Sequence, residues 1–218
     1  PVSAGHSLST SGGVLAVDAT NGSTLWYTEI TGETDFPGDV RVTHVHYAPD
    51  SRRGAFVLIA GSVRGASGPL LGTNYNTPVR GGANDWDGFV TKLHPETGEL
   101  ANPFGAQDVS IRIQSLNNGD DWITAVCYQD RDKAYVLGTT TGKVFSDHLD
   151  DDGGAFLMKV DIDTMQKEWE IQLEGLGVLG TACAIESQSS NSGKNFLYVA
   201  GVLPVDHPGL DVEGNRKE

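Results

Sequence analysis

The chain has 218 residues, 38% of them hydrophobic and 20% charged, enough apolar material for a packed core in one large domain or two small ones. Its net charge of −14 repels phosphate backbones and argues against nucleic acid as a partner. No apolar run approaches the ~18 residues of a membrane-spanning helix, and two cysteines are too few for a disulfide-stapled scaffold.

In chain order, the sequence repeats itself three times. Gly13-Val14-Leu15-Ala16-Val17-Asp18 predicts a strand and turn, with Trp26 eight residues after the aspartate. Thr43-His44-Val45 opens a further strand, and a polar stretch then leads to Val57-Leu58-Ile59-Ala60-Gly61. The second unit runs through Phe89-Val90-Thr91-Lys92-Leu93-His94, Thr124-Ala125-Val126 and Tyr135-Val136-Leu137-Gly138. The third repeats the pattern in Phe156-Leu157-Met158-Lys159-Val160-Asp161, Trp169, Thr181-Ala182-Cys183 and Tyr198-Val199-Ala200-Gly201. Runs rich in Val, Ile, Thr and aromatic residues between Gly/Asn/Asp/Ser clusters predict strands, and no window carries a helical period. Each unit thus predicts four strands, over 13–63, 88–140 and 154–203; in the third they run over 155–160, 168–173, 180–186 and 196–203.

Short strands in units of four, with no helix, are the pattern of an all-β propeller, built of four-stranded antiparallel blades. The nearly continuous apolar run Ala55-Phe56-Val57-Leu58-Ile59-Ala60 fits a sheet buried on both faces. A β-sandwich has no reason to repeat every ~70 residues. Because rings close with about 4–8 blades, three predict either a segment of a longer ring or chains that associate, a dimer giving six. The expected partners are therefore further blades of a longer chain or a second copy, together with other proteins of an assembly.

The stretch Leu15-Ala16-Val17-Asp18-Ala19-Thr20-Asn21-Gly22-Ser23-Thr24-Leu25-Trp26 resembles the repeat of quinoprotein-like propellers: Ala-x-Asp, a turn with Gly, then Trp. The resemblance implies that Trp26 packs between blades, and Asp161 and Trp169 extend it to the third unit. The second unit departs, with His94 for the aspartate and Asn102 where Trp is expected, although Thr97-Gly98 keeps the turn. Asp87-Gly88-Phe89-Val90-Thr91-Lys92-Leu93, with Tyr135-Val136-Leu137-Gly138-Thr139-Thr140, also resembles the bacterial-type β-propeller repeat. Quinone-dependent enzymes of that superfamily carry adjacent cysteines and a calcium site beside the cofactor. Here Cys127 and Cys183 lie 56 residues apart, so the resemblance does not carry the cofactor residues over.

The chemistry-bearing motifs are sparse. Gly175-Leu176-Gly177-Val178-Leu179-Gly180 satisfies G-x-G-x-x-G, but it leads into a predicted strand instead of a helix and reads as a turn. His44 and His46 share one face of a strand, as the start of a zinc site with no evident third ligand or as a pair of inter-blade or solvent-facing polar residues. Cys127 and Cys183 follow Thr124 and Thr181 by three and two residues; opposite parity predicts two buried free thiols and no disulfide. Asn21-Gly22-Ser23 is a glycosylation sequon in a predicted turn. No nucleophile elbow or other catalytic set is present.

Most of the negative charge falls in loops at one end of the predicted blades. Asp147, Asp150, Asp151 and Asp152 crowd one loop there, and Asp85, Asp87, Asp120 and Asp121 come from others. Asp150, Asp151 and Asp152 are candidate calcium ligands without EF-hand spacing; the alternative is a solvated acidic loop. The expectation is a non-catalytic structural or interaction module of an extracellular or cell-surface assembly, with Trp26 and Trp169 as inter-blade anchors. The alternative is a quinoprotein-like or carbohydrate-active enzyme, or a sugar-binding propeller, whose site lies on blades outside this chain.

Overall fold

The computed structural model describes residues 11–30, 39–49, 54–64, 85–100, 110–117, 119–130, 132–144, 153–174, 179–186 and 196–202. Among them are twelve strands and no helix, hence no helix long and apolar enough to cross a membrane. Strands β3 (Val40–Ala48), β4 (Phe56–Arg64), β5 (Trp86–Leu93) and β6 (Ser110–Ile113) form one four-stranded antiparallel sheet in chain order. Strands β7 (Asp121–Asp130), β8 (Lys133–Thr140), β9 (Gly154–Asp161) and β10 (Gln166–Glu174) form a second. The remaining strands make two two-stranded sheets, β1 (Gly12–Val17) with β2 (Thr24–Ile30), and β11 (Leu179–Glu186) with β12 (Phe196–Val202).

The sheets do not coincide with the sequence units 13–63, 88–140 and 154–203. Each four-stranded sheet joins the last two strands of one unit to the first two of the next. A repeat fixes a period and leaves the phase open, because any four consecutive strands recur at the same interval. No closed ring is formed by the described residues.

The recurring threonines have a common structural task. Thr43, Thr124 and Thr181 each lie in a register break of the first strand of a sheet: Val42/His44, Ile123/Ala125 and Gly180/Ala182. Each hydroxyl reaches a carbonyl of the neighbouring strand, Leu137 O at 3.2 Å, Ala200 O at 3.2 Å and, for Thr43, Ala60 O at 3.4 Å, where it shares its proton with a nearer carbonyl of the next sheet. A bulge bends and twists its strand, and the hydroxyl supplies a donor where the ladder is interrupted.

The repeat aspartate organises the hairpin turn that follows it. Asp18 accepts from the Thr20 amide at 2.8 Å and the Thr20 hydroxyl at 2.6 Å, which holds its pKa below the usual value. Asp161 accepts from the Thr164 amide at 2.9 Å. In the second unit His94 Nδ1 accepts from the Glu96 amide at 3.4 Å, so the imidazole takes over the carboxylate's part. Four residues after each of these lies a left-handed position: Gly22 at φ 73°, Gly98 at φ 72° and Met165 at φ 52°. Glycine is unstrained there, whereas methionine is not.

The core has two parts. Leu58, Val90, Ile123, Val136, Phe156 and Met158 fill one cluster between the four-stranded sheets. Val14 and Ile30 join Val57, Ile59, Phe89 and Leu93 in the other, which fastens β1–β2 to the first of those sheets. Strand β4 is buried on both faces from Phe56 to Val63, in keeping with its unbroken apolar sequence.

Candidate functional site

The described chemistry concentrates where one sheet meets the next. At the first junction, the Trp26 indole N–H donates to Pro95 O at 2.8 Å, and the Thr28 hydroxyl donates to Gly98 O at 2.7 Å. Trp26 is partly buried against the cluster around Phe89. A Cβ on Gly98 would come within 2.5 Å of its ring, so the glycine is needed for the indole to seat on the turn.

At the second junction the equivalent carbonyl, one residue past the first turn residue, is Ile162 O. It accepts from the buried Lys92 ammonium at 2.7 Å. The segment from His94 to Ser110 contains no tryptophan, and the opposing turn carries buried Met165 in the glycine's place. Two further bonds cross this junction: the Thr43 hydroxyl donates to Ile123 O at 2.9 Å, and the Ile123 amide donates to Ser62 Oγ at 3.2 Å. His46 stacks on Tyr128 with ring centroids 4.6 Å apart. Burial lowers the pKa of both His44 and His46, which favours neutral rings in an inter-sheet position.

The third junction is covalent. Cys127 on β7 and Cys183 on β11 form a disulfide with Cα atoms 5.9 Å apart, which overturns the expectation of two free thiols. Equivalent strands of stacked sheets turn opposite faces toward each other, so opposite parity brings the two side chains together. His46 and Tyr128, three and four residues past their threonines, meet by the same rule.

A polar cluster lies at the loop end of the second junction. Asp87 pairs with Arg112, both buried, and accepts from Gln114 Nε2 at 3.1 Å. Desolvation still raises the Asp87 pKa, against the pull of Arg112. Asp121 is fully buried and accepts from the Ser115 amide at 2.5 Å and the Ser115 hydroxyl at 2.7 Å. Ser115 Oγ in turn lies 3.0 Å from Thr140 Oγ1. Burial pushes Asp121 up to about 7, outweighing these hydrogen bonds. An acid so enclosed ties loop to sheet but gives no substrate access to its proton.

The remaining sequence candidates fall as follows. Trp169 lies on β10, 40% exposed, its ring tilted against Tyr135 at 5.7 Å. Asn21 is exposed in the β1–β2 turn, where its amide donates to Asp18 at 3.2 Å and its oxygen accepts from the Ser23 amide at 2.8 Å. Asp147, Asp150, Asp151 and Asp152 lie outside the described residues, as do residues 175–178 of the glycine motif. Among the described residues no group of three or more His, Cys, Asp or Glu is placed to hold a metal ion. Lys92 was missed; the repeat-equivalent Lys159 pairs with Glu168 instead, so the sequence alone carried no signal for the buried one. No protein-family model matches the chain, and no curated protein matches it.

The ends of the stack bare apolar side chains. On one side Leu15, Val17, Leu25 and Tyr27 of β1–β2 are exposed, with Val45 and Tyr47 of β3. On the other side Trp169 and Ile171 of β10 are exposed, with Tyr198 and Val202 of β12.

Proposed function

We propose that the chain is a propeller-type stack of sheets that serves as a non-catalytic structural and interaction module of an extracellular or cell-surface assembly. The observation that carries this reading is the pair of stacked four-stranded sheets ending on both sides in a two-stranded sheet with bared apolar residues. Such ends are completed by more sheets of the same kind, and surfaces of this type left open mark interaction sites. The Cys127–Cys183 bond supports an oxidising compartment, where a structural disulfide persists. Buried Asp87 is engaged by Arg112 and Gln114 and buried Asp121 by Ser115, and both serve the packing.

Electron microscopy of the assembly purified from its natural source tests this reading. The expected images show sheets radiating about one axis, in a sample without visible absorbance. A straight stack or a two-layer sandwich overturns the architecture, and a bound quinone chromophore overturns the non-catalytic role.

A further inference from the structure

The two incomplete sheets are complementary halves of one sheet. By repeat position β1–β2 corresponds to β5–β6 and β9–β10, the third and fourth strands of a four-stranded sheet. β11–β12 corresponds to β3–β4 and β7–β8, the first and second strands. The edge of β12 is therefore the one that β4 and β8 offer to β5 and β9, and among the described residues no strand occupies it. Gly61 pairs with Phe89 and Gly138 with Phe156; their repeat equivalents are Gly201 and Gly13.

A second, independent observation points to the same pairing. Trp26 requires a glycine turn, Gly98, and donates to the carbonyl at Pro95. Where no tryptophan stands, the next turn carries Met165 and the carbonyl takes Lys92. Trp169 is of the first kind, yet no glycine turn lies beneath it among the described residues. Gly22, equivalent to Gly98, is a glycine turn with nothing within 4 Å of where its Cβ would stand. Ala19 is the equivalent of Pro95.

Building on the propeller reading above, we propose that the β1–β2 hairpin of a second copy adds to β12, with Gly13 opposite Gly201. Trp169 seats on that copy's Gly22 turn, its indole N–H directed at the Ala19 carbonyl. The reciprocal contact places each copy's β11–β12 pair over the other's exposed Val45 and Tyr47, and a two-fold dimer of six sheets results. The described strands of one chain do not make this contact among themselves, because they amount to three sheets and rings close with about 4–8.

Sedimentation velocity on the 218-residue chain at micromolar concentration is the first test, and a species of twice the chain mass is expected. Trp169→Ala and Gly22→Val are each expected to weaken the dimer at least about ten-fold, as loss of a buried aromatic anchor does. Retained far-UV circular dichroism and an intact Cys127–Cys183 bond keep misfolding from imitating that result. The register makes Leu197 the partner of Val17, as Val57 is of Leu93. A mixture of Leu197→Cys and Val17→Cys chains is therefore expected to cross-link, whereas Leu197→Cys alone is not. A folded monomer overturns the proposal, as does a dimer indifferent to Trp169 and lacking that cross-link. If a radial ring is nonetheless seen in the native assembly, the propeller reading survives, and the completing hairpin belongs to another chain segment.

Discussion

At the junction between β1–β2 and the first four-stranded sheet, an aromatic donor, Trp26, meets Pro95 O over Gly98. At the junction between the two four-stranded sheets, a charged donor, Lys92, meets Ile162 O, and Met165 stands in the glycine's position. The acceptor occupies the same place in both turns, one residue past Asp or His. What is shared is thus the backbone geometry of two stacked sheets, and what varies is the pair of side chains that fills it. An indole leaves no room for a Cβ on the turn; without an indole, that position carries an apolar side chain into the core. The Lys92 ammonium is tolerated in burial because it has carbonyl partners at 2.7 Å and 3.4 Å and lies 5.8 Å from the centre of the Phe56 ring.

The largest expected effect lies at the junction that uses neither device. The disulfide spans 56 residues, and removing both cysteines as Cys127→Ser/Cys183→Ser is expected to destabilise the chain by about 4 kcal/mol in the chain-entropy picture. Denaturant titration checks the magnitude, and hydrogen exchange checks the place, with amides of β11–β12 losing protection before those of β4 and β8. Equal loss across all sheets would mean that the bond does not act at its own junction.

Among the described residues the second junction has a fully buried acid, Asp121, which separates it from the first by pH. Folded Asp121 keeps its proton up to about pH 7, while the unfolded carboxyl releases it near 3.8, so between these values the folded state binds more protons. Stability is therefore expected to fall as pH rises from 4 to 7 and then level off, by on the order of 2–4 kcal/mol. The raised Asp87 acts in the same direction; His44 and His46, with lowered pKa values, act in the opposite one below about pH 6.5. The diagnostic quantity is the difference between wild type and Asp121→Asn, which removes one titration and keeps an acceptor for the Ser115 amide. Parallel stability–pH curves for the two proteins would show that folding does not raise the Asp121 pKa.

The first junction is expected to answer to sterics. Trp26→Ala should cost about 2–3 kcal/mol, below the 3–5 of a fully buried ring, because Trp26 is partly buried. Gly98→Ala strains a left-handed position and drives a Cβ against both Thr28 Oγ1 and the indole; in the Trp26→Ala background the indole clash is gone, so its cost should fall toward the Thr28 contact plus a backbone strain of about 1 kcal/mol. Additive costs in this double-mutant cycle would break the lock-and-seat account of the junction.

The sequence made the strands legible because Val, Ile, Thr and aromatic runs between glycine-rich turns carry a period that no helix shares. In the third unit, 155–160 and 180–186 fall inside the observed Gly154–Asp161 and Leu179–Glu186. The Asp18 turn was readable for a similar reason, since its carboxylate acts on amides within three residues. The phase of the sheets was not readable, because a translation by two strands leaves the repeat unchanged. The disulfide was hidden by treating each sheet alone, when the meeting of Cys127 and Cys183 is a property of two stacked faces. The elevated Asp121 pKa depends on its enclosure beside Ser115 and Thr140, and the Lys92 bond joins different sheets, so no local pattern encodes either.

The smallest effect is the one that most sharpens the comparison. Trp26 and Trp169 are the same residue at the same repeat position, and only what faces them differs. Trp26 has Pro95 O and Gly98; Trp169 has Tyr135 along one side and is 40% exposed. In a dilute monomer Trp169→Ala is therefore expected to cost less than Trp26→Ala, about 1 kcal/mol, since the ring is 40% exposed and packs on Tyr135 along one side. Thermal unfolding of Trp26→Ala and Trp169→Ala, side by side and at decreasing protein concentration, separates intrinsic from acquired packing. Trp26→Ala should cost the same at every concentration. Trp169→Ala should become costly only as the concentration rises, because its seat lies on another copy. A large, concentration-independent loss for Trp169→Ala would place its packing partner inside the single chain and remove the distinction between the two tryptophans.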